Sequence, residues 1–252
     1  MILRSTLVAL ILLFSLAFEQ AASAQSIPSV PFLSVEPGAD GANNYSVSLQ
    51  ILLFMTSLTL LPSLLLGLTA FTRIIIVLSI LRTALGTQQT PPNQILVALA
   101  LFLTIFVMAP TFNKIYSDAY IPYSEKRIEL NQALRTAANT TKSFIVRNTR
   151  ETDLLAFSDM ANEQKYETTE DIPWNILLPA FITSELKTAF QIGFLIYLPF
   201  LVIDMVIASI LMSLGMMMLS PMLVSLPFKL LLFVLVDGWT MTVGSLISSY
   251  SP

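Results

Sequence analysis

Cysteine and histidine are both missing from this chain of 252 residues. Their absence excludes disulfides, thiolate nucleophiles, imidazole bases and Cys/His metal sites. Charge is scarce too: 12% of the residues are Asp, Glu, Lys or Arg, against 55% hydrophobic. That balance belongs to a polytopic membrane protein rather than a soluble domain. The net charge of -3 comes with no basic patch, so nucleic acid is not a partner. Nor is there a GxxxxGK segment followed by Ser or Thr, so the chain has no P-loop for nucleotide. Carboxylates remain as catalytic groups, but a carboxylate hydrolase needs two acids converging at one cleft. Glu185, Asp204 and Asp237 fall at different depths of the apolar runs, so the chain reads as non-enzymatic, with no cofactor and no metal.

What the chain does have is long apolar runs, and they divide it into five parts. Residues 1–24 read as a cleaved signal peptide: Arg4 is a short basic start, Ile2–Phe18 an apolar core, and Ala22-Ser23-Ala24 a small-x-small site with cleavage between Ala24 and Gln25. An uncleaved first membrane helix is the alternative. Glu19 opposes it, and so does a length short of the ~20 residues a span needs. Residues 25–45 form an extracytoplasmic lead in which Pro28, Pro31, Pro37, Gly38 and Gly41 are expected to break regular structure.

Residues 46–112 read as a first hydrophobic hairpin. Leu52–Phe71 is expected to be one long helix bent at Pro62, followed by a shorter stretch at 74–81 between Arg73 and Arg82. After a turn over Thr83–Asn93, a helix over Gln94–Ala109 ends near Pro110. Residues 113–172 form a polar extracytoplasmic loop carrying both signs in near balance. There Ser124 is a plausible N-cap for a helix to Asn148 with Ile128, Leu134, Ala138 and Ile145 on one face, and Thr152 or Asp153 opens a shorter helix. Residues 173–252 are a second hydrophobic hairpin. Pro173 starts a helix that passes Pro179 into the run Thr188–Met212, Gly215–Pro221 turns, and Met222–Ile247 is the last run. The fold class is all-α and membrane-associated. Two arginines and no acid in 73–93 place that segment on the cytoplasmic side.

Charges inside the second hairpin require an explanation. Tyr197–Trp239 holds only Asp204, Lys229 and Asp237. An aspartate or lysine at mid-bilayer costs roughly 2.5–3.5 kcal/mol, so such residues are usually paired or functional. If the hairpin is centred between Met216 and Met217, Asp204 and Lys229 each lie 12.5 residues from that centre. Both are then roughly 19 Å from the turn, and a buried ion pair is the economical reading, with snorkelling as the alternative. Glu185 and Lys187 stand two apart, so they point to different sides of a helix and are not each other's main partner. Asp237, before Gly238 and Trp239, either meets a polar subunit interface or reaches solvent. Met216, Met217 and Met218 read from composition alone as core filling, although flexible thioethers also suit a deformable apolar collar.

The blocks PAFITSELKTAFQIGF (179–194), YLPFLVIDMVIASILMSLGMMMLSP (197–221) and SLPFKLLLFVLVDGW (225–239) resemble the signature region of the FliP family. FTRIIIVLSILRTALGTQQTPPNQILVALALFLTIFVMAP (71–110) resembles its other characteristic block. These are membrane subunits of the flagellar type III protein export apparatus. The signal and the long loop favour that flagellar branch over the related injectisome proteins. The resemblance implies a helical ring of about five copies with FliQ and FliR, associated with FlhA and FlhB and assembled with help from FliO. It implies a conduit for unfolded export substrates at the inner membrane, with the hairpins packed largely on the periplasmic side. It casts Met216, Met217 and Met218 as an ion-retaining gasket, and Glu185, Lys187, Asp204, Lys229 and Asp237 as buried charges contacting neighbouring subunits. A small-solute or ion transporter is the competing class.

Overall fold

The computed structural model describes residues 34–37, 43–46, 54–60, 66–87, 89–162, 166, 168–169, 171–216 and 218–250. The signal segment with its Ala24–Gln25 junction, the Pro62 bend and Met217 lie outside these residues. The chain forms two units, split between Leu61 and Pro62.

In the first unit, β1 (Ser34–Pro37) and β2 (Asn43–Ser46) pair antiparallel, with Val35 opposite Tyr45 and Pro37 opposite Asn43. This corrects the expectation of an irregular lead. The prolines stop short of the paired residues except at Pro37, which ends a strand of a two-stranded ribbon where proline is tolerated. A short helix, α1, covers 54–60.

Among the described residues, the second unit is all helix. α2 (Phe71–Ala84) takes in both Arg73 and Arg82, which therefore sit inside one helix rather than bounding the apolar stretch 74–81. Gly86, at φ 78°, makes the turn that follows. α3 (Asn93–Ile115) does not end at Pro110 as expected. It continues through a π-turn at Tyr116–Tyr120 to Ser124, giving 32 helical residues. Proline removes one bond, to the carbonyl four residues earlier, and a long apolar helix tolerates that single loss. Ser124 therefore closes a helix, its hydroxyl donating to the Ile121 carbonyl at 2.8 Å, instead of capping the next one.

α4 (Leu130–Asn148) starts later, after Glu129. Ile145 is buried as expected, but Leu134 is exposed, and Ala133 and Phe144 define the buried face. α5 (Glu151–Met160) places Asp153 in its first turn, where a carboxylate suits the helix dipole. α6 (Trp174–Ser213) runs unbroken for 40 residues past Pro179 and Pro199. At 1.5 Å per residue it is about 60 Å long, roughly twice the hydrocarbon thickness of a bilayer. The last run is not one helix: α7 (Pro221–Leu235) and α8 (Gly238–Ser248) meet at a 65° bend. The bend is set by Asp237 in the left-handed region at φ 50°.

α2 packed along α6 is the most extensive helix pair. The stripe Leu177, Phe181, Glu185, Ala189 and Gly193 recurs every fourth residue on α6, so it lies along one side facing α2. Gly193 lets the helices close up, because a Cβ there would run into Ile80. Outside this stripe the long helix is bare. Only 11% of its most apolar window is buried, with Phe194, Leu195 and Met205 among the exposed side chains.

Candidate functional site

Glu185 stands in the middle of the apolar stripe and is fully buried. Arg73, 3% exposed, reaches it from α2 with Nε donating to Oε2 at 2.9 Å and Nη2 to Oε1. Two parallel N–H donors on one carboxylate form the strongest geometry available to this pair. The second terminal nitrogen of Arg73 donates to the Ser249 carbonyl at 2.8 Å, and the guanidinium lies 3.8 Å from the centroid of the Tyr250 ring. The Tyr250 hydroxyl donates to Glu185 Oε2 at 2.6 Å. One buried cation thus ties α2, α6 and the C-terminal residues together. Neither Arg73 nor Tyr250 was singled out from sequence as a partner. By charge alone Arg73 reads as one of the two arginines that orient 73–93, yet an arginine set between Phe71 and Ile74-Ile75-Ile76 is a signal of a buried counterion.

The Asp204–Lys229 pair forms. Lys229 Nζ is 2.6 Å from Asp204 Oδ2 and also donates to the Ala84 carbonyl at 3.1 Å. Ala84 is the last residue of α2, where carbonyls lack helical donors and favour a cation. Ser225 Oγ donates to the other carboxylate oxygen at 2.5 Å. Lys229 is 2% exposed, while the Asp204 side chain keeps 28% of its surface. The ammonium is therefore compensated twice, and the carboxylate retains an open side.

Lys187 pairs with Asp153 of α5, whose other oxygen accepts the Ser184 hydroxyl at 2.8 Å. Burial works to raise the Asp153 pKa, but hydrogen bonds from Lys187 and Ser184 and the nearby charges of Lys187 and Arg150 outweigh it, holding the carboxyl below its ordinary value. Arg150 extends the seam, donating to Thr188 Oγ1 at 3.0 Å. Asp237 is exposed at the bend, and its carboxylate has no partner among the described residues.

Glu185, Lys187, Asp204 and Lys229 each have a partner within the single chain, since charges leaving water need compensation before neighbouring copies arrive. In the single chain Lys187 and Asp237 are exposed. The methionine turn is a different kind of site. Between α6 and α7, Met216 is 43% exposed and Met218 100% exposed, and Gly215 turns the chain at φ 72°. Leu214, Leu219 and Leu223 stand out beside them, so the tip is apolar and uncovered in the single chain.

The FliP family model matches residues 54–246, which takes in α1, every helix of the second unit but the end of α8, and the methionine turn. Relatives named "Flagellar biosynthetic protein FliP" include one from Cereibacter sphaeroides, 65% identical over 220 residues, covering 87% of this chain and 73% of that protein. One from Pectobacterium carotovorum subsp. carotovorum is 52% identical over 221 residues, covering 88% of this chain and 86% of its own. One from Bacillus subtilis (strain 168) is 51% identical over 219 residues, covering 87% and 99%. A family match over residues 54–246, with relatives 51% to 65% identical over 87% of the chain, means that the chain belongs to the FliP family.

Proposed function

We propose that this chain is a non-enzymatic core subunit of the flagellar type III export gate, passing unfolded flagellar proteins across the inner membrane. The observation that carries the reading is the bare apolar tip of the second hairpin, on a chain whose family is that of flagellar biosynthetic proteins. Such a surface needs lipid or sister chains to cover it. Several copies, about five, with FliQ and FliR bring the tips of α6 and α7 together around an axis. FlhA and FlhB join the assembly, and FliO assists its formation. In the ring Met216, Met217 and Met218 face one another and close the conduit when no substrate threads it, since an apolar constriction dewets. The 60 Å length of α6 supports a mature position largely on the periplasmic side, because a helix of roughly twice the bilayer core is not a simple span.

The small-solute transporter reading is less supported: Glu185 is paired with Arg73, and Asp204 with Lys229, so these charges are already compensated within the chain. Mass measurement of the detergent-extracted chain, co-expressed with the other gate subunits, tests the proposal. A large mixed ring is expected, whereas a lone protomer ends it.

A further inference from the structure

α8 is gripped at its two ends and stands off α6 between them. At its start, the Phe233 ring lies against Gly238 and meets Trp239 edge-on. Toward its end Leu246 is buried, and Arg73 donates to the carbonyl of the following Ser249. The Tyr250 hydroxyl reaches Glu185 Oε2 at 2.6 Å and lies 3.1 Å from the Ala70 carbonyl. The Tyr250 ring also stacks on Phe144 of α4, so three helices hold this one residue. Between the two grips, a cavity of about 310 Å³ separates Leu195, Ile196 and Pro199 of α6 from Met241, Thr242 and Ser245 of α8.

The bend at the start of α8 is unfavourable by itself. Asp237 has φ 50° and ψ 53°, a conformation that glycine takes freely and aspartate at a cost. A continuous helix would also give the amides of Gly238, Trp239 and Thr240 the carbonyls of Val234, Leu235 and Val236, which the bend withholds. Contacts at the far end of α8 have the longest lever against this tendency. We propose that α8 is a strap with Tyr250 as its catch. It swings about Asp237 between a bent form latched on Arg73 and Glu185 and a straight form continuous with α7. Straight, residues 221–248 make a helix about 42 Å long, more than a bilayer core needs. Bent, α8 covers the side of α6 from Ile192 to Phe200. The catch selects between these two forms.

The chain has no cysteine, so spin labels on Asn139→Cys of α4 and Ser248→Cys of α8, both exposed positions, report one distance. Pulsed electron resonance of the full chain in detergent is expected to give a single short distance, because Tyr250 and Ser143 of α4 line one cavity. Tyr250→Ala adds a population longer by roughly 10–15 Å, the travel of the tip of an 11-residue helix as a 65° bend straightens. Adding Asp237→Gly, which removes the left-handed cost and weakens a straight helix, returns most molecules to the short distance. Circular dichroism keeps the parental helical signal in every variant. An unchanged distance in Tyr250→Ala overturns the proposal. A longer distance accompanied by lost helicity also overturns it, since α8 then unravels instead of swinging. A double variant that stays long overturns it as well, because Asp237 is then not the pivot.

Discussion

At the scale of single residues, the chain uses charge sparingly and pairs most of what it buries. Arg73 and Glu185 are the extreme case, since neither keeps appreciable contact with water. A buried pair of this kind is not necessarily a net gain over apolar packing, but breaking it strands a charge. Glu185→Ala is therefore expected to lower stability by roughly 3–5 kcal/mol. Tyr250→Phe, which removes one donor, costs about 1 kcal/mol. Joint replacement of Arg73 and Glu185 by leucine recovers most of the single-variant loss. Thermal unfolding of the detergent-solubilised protein reads all three, and a Glu185→Ala protein melting with the parent would refute the account. Asp204 and Lys229 differ in degree: the lysine is sealed between a carboxylate and a helix end, whereas the aspartate keeps a face open.

At the scale of elements, the bend between α7 and α8 has a local cause that hydropathy does not register. Asp237 takes a left-handed conformation, and Gly238 follows with the Phe233 ring where a Cβ would sit. Phe233 also meets Trp239 edge-on at 5.4 Å, so the ring is held on both sides of the bend. Gly238→Ala is expected to destabilise by about 1–3 kcal/mol through overpacking. Gly244→Ala, inside α8 with nothing near its Cβ, is expected to stabilise by roughly 0.5–1 kcal/mol. Opposite signs in chemical or thermal unfolding are the check. Helix ends were the least legible feature in the sequence. Pro110 reads as a stop, yet α3 runs on, because in a long apolar helix the many remaining bonds outweigh one missing donor. Ser124 reads as an N-cap yet closes a helix, since a hydroxyl bonds a carbonyl three residues back as readily as it caps an amide.

At the scale of the whole molecule, the two faces of α6 serve different ends. One face carries the stripe that packs on α2, and the other presents aromatic and aliphatic side chains to the surroundings. The single chain is thus incomplete by its own hydrophobic accounting, and the methionine turn lies at the far tip of that uncovered surface. Changing Met216, Met217 and Met218 to serine should leave the assembled complex intact and raise its ion leak, because a polar constriction stays wet. Conductance of the complex in planar bilayers measures this. A leak no greater than the parent's would remove the gasket role.

Composition alone determined that this is a helical membrane protein without thiol or imidazole chemistry, and motif resemblance pointed to its family. Equal spacing about a turn was enough to bring Asp204 to Lys229, because a hairpin converts sequence symmetry into spatial depth. Arg73 with Glu185 and Lys187 with Asp153 needed the tertiary structure. Each joins different helices, and which faces meet depends on how far apart and at what angle those helices pack. Hydropathy reports only that a surface avoids water; whether it turns to a neighbouring helix, to lipid or to a sister copy is decided by packing in three dimensions.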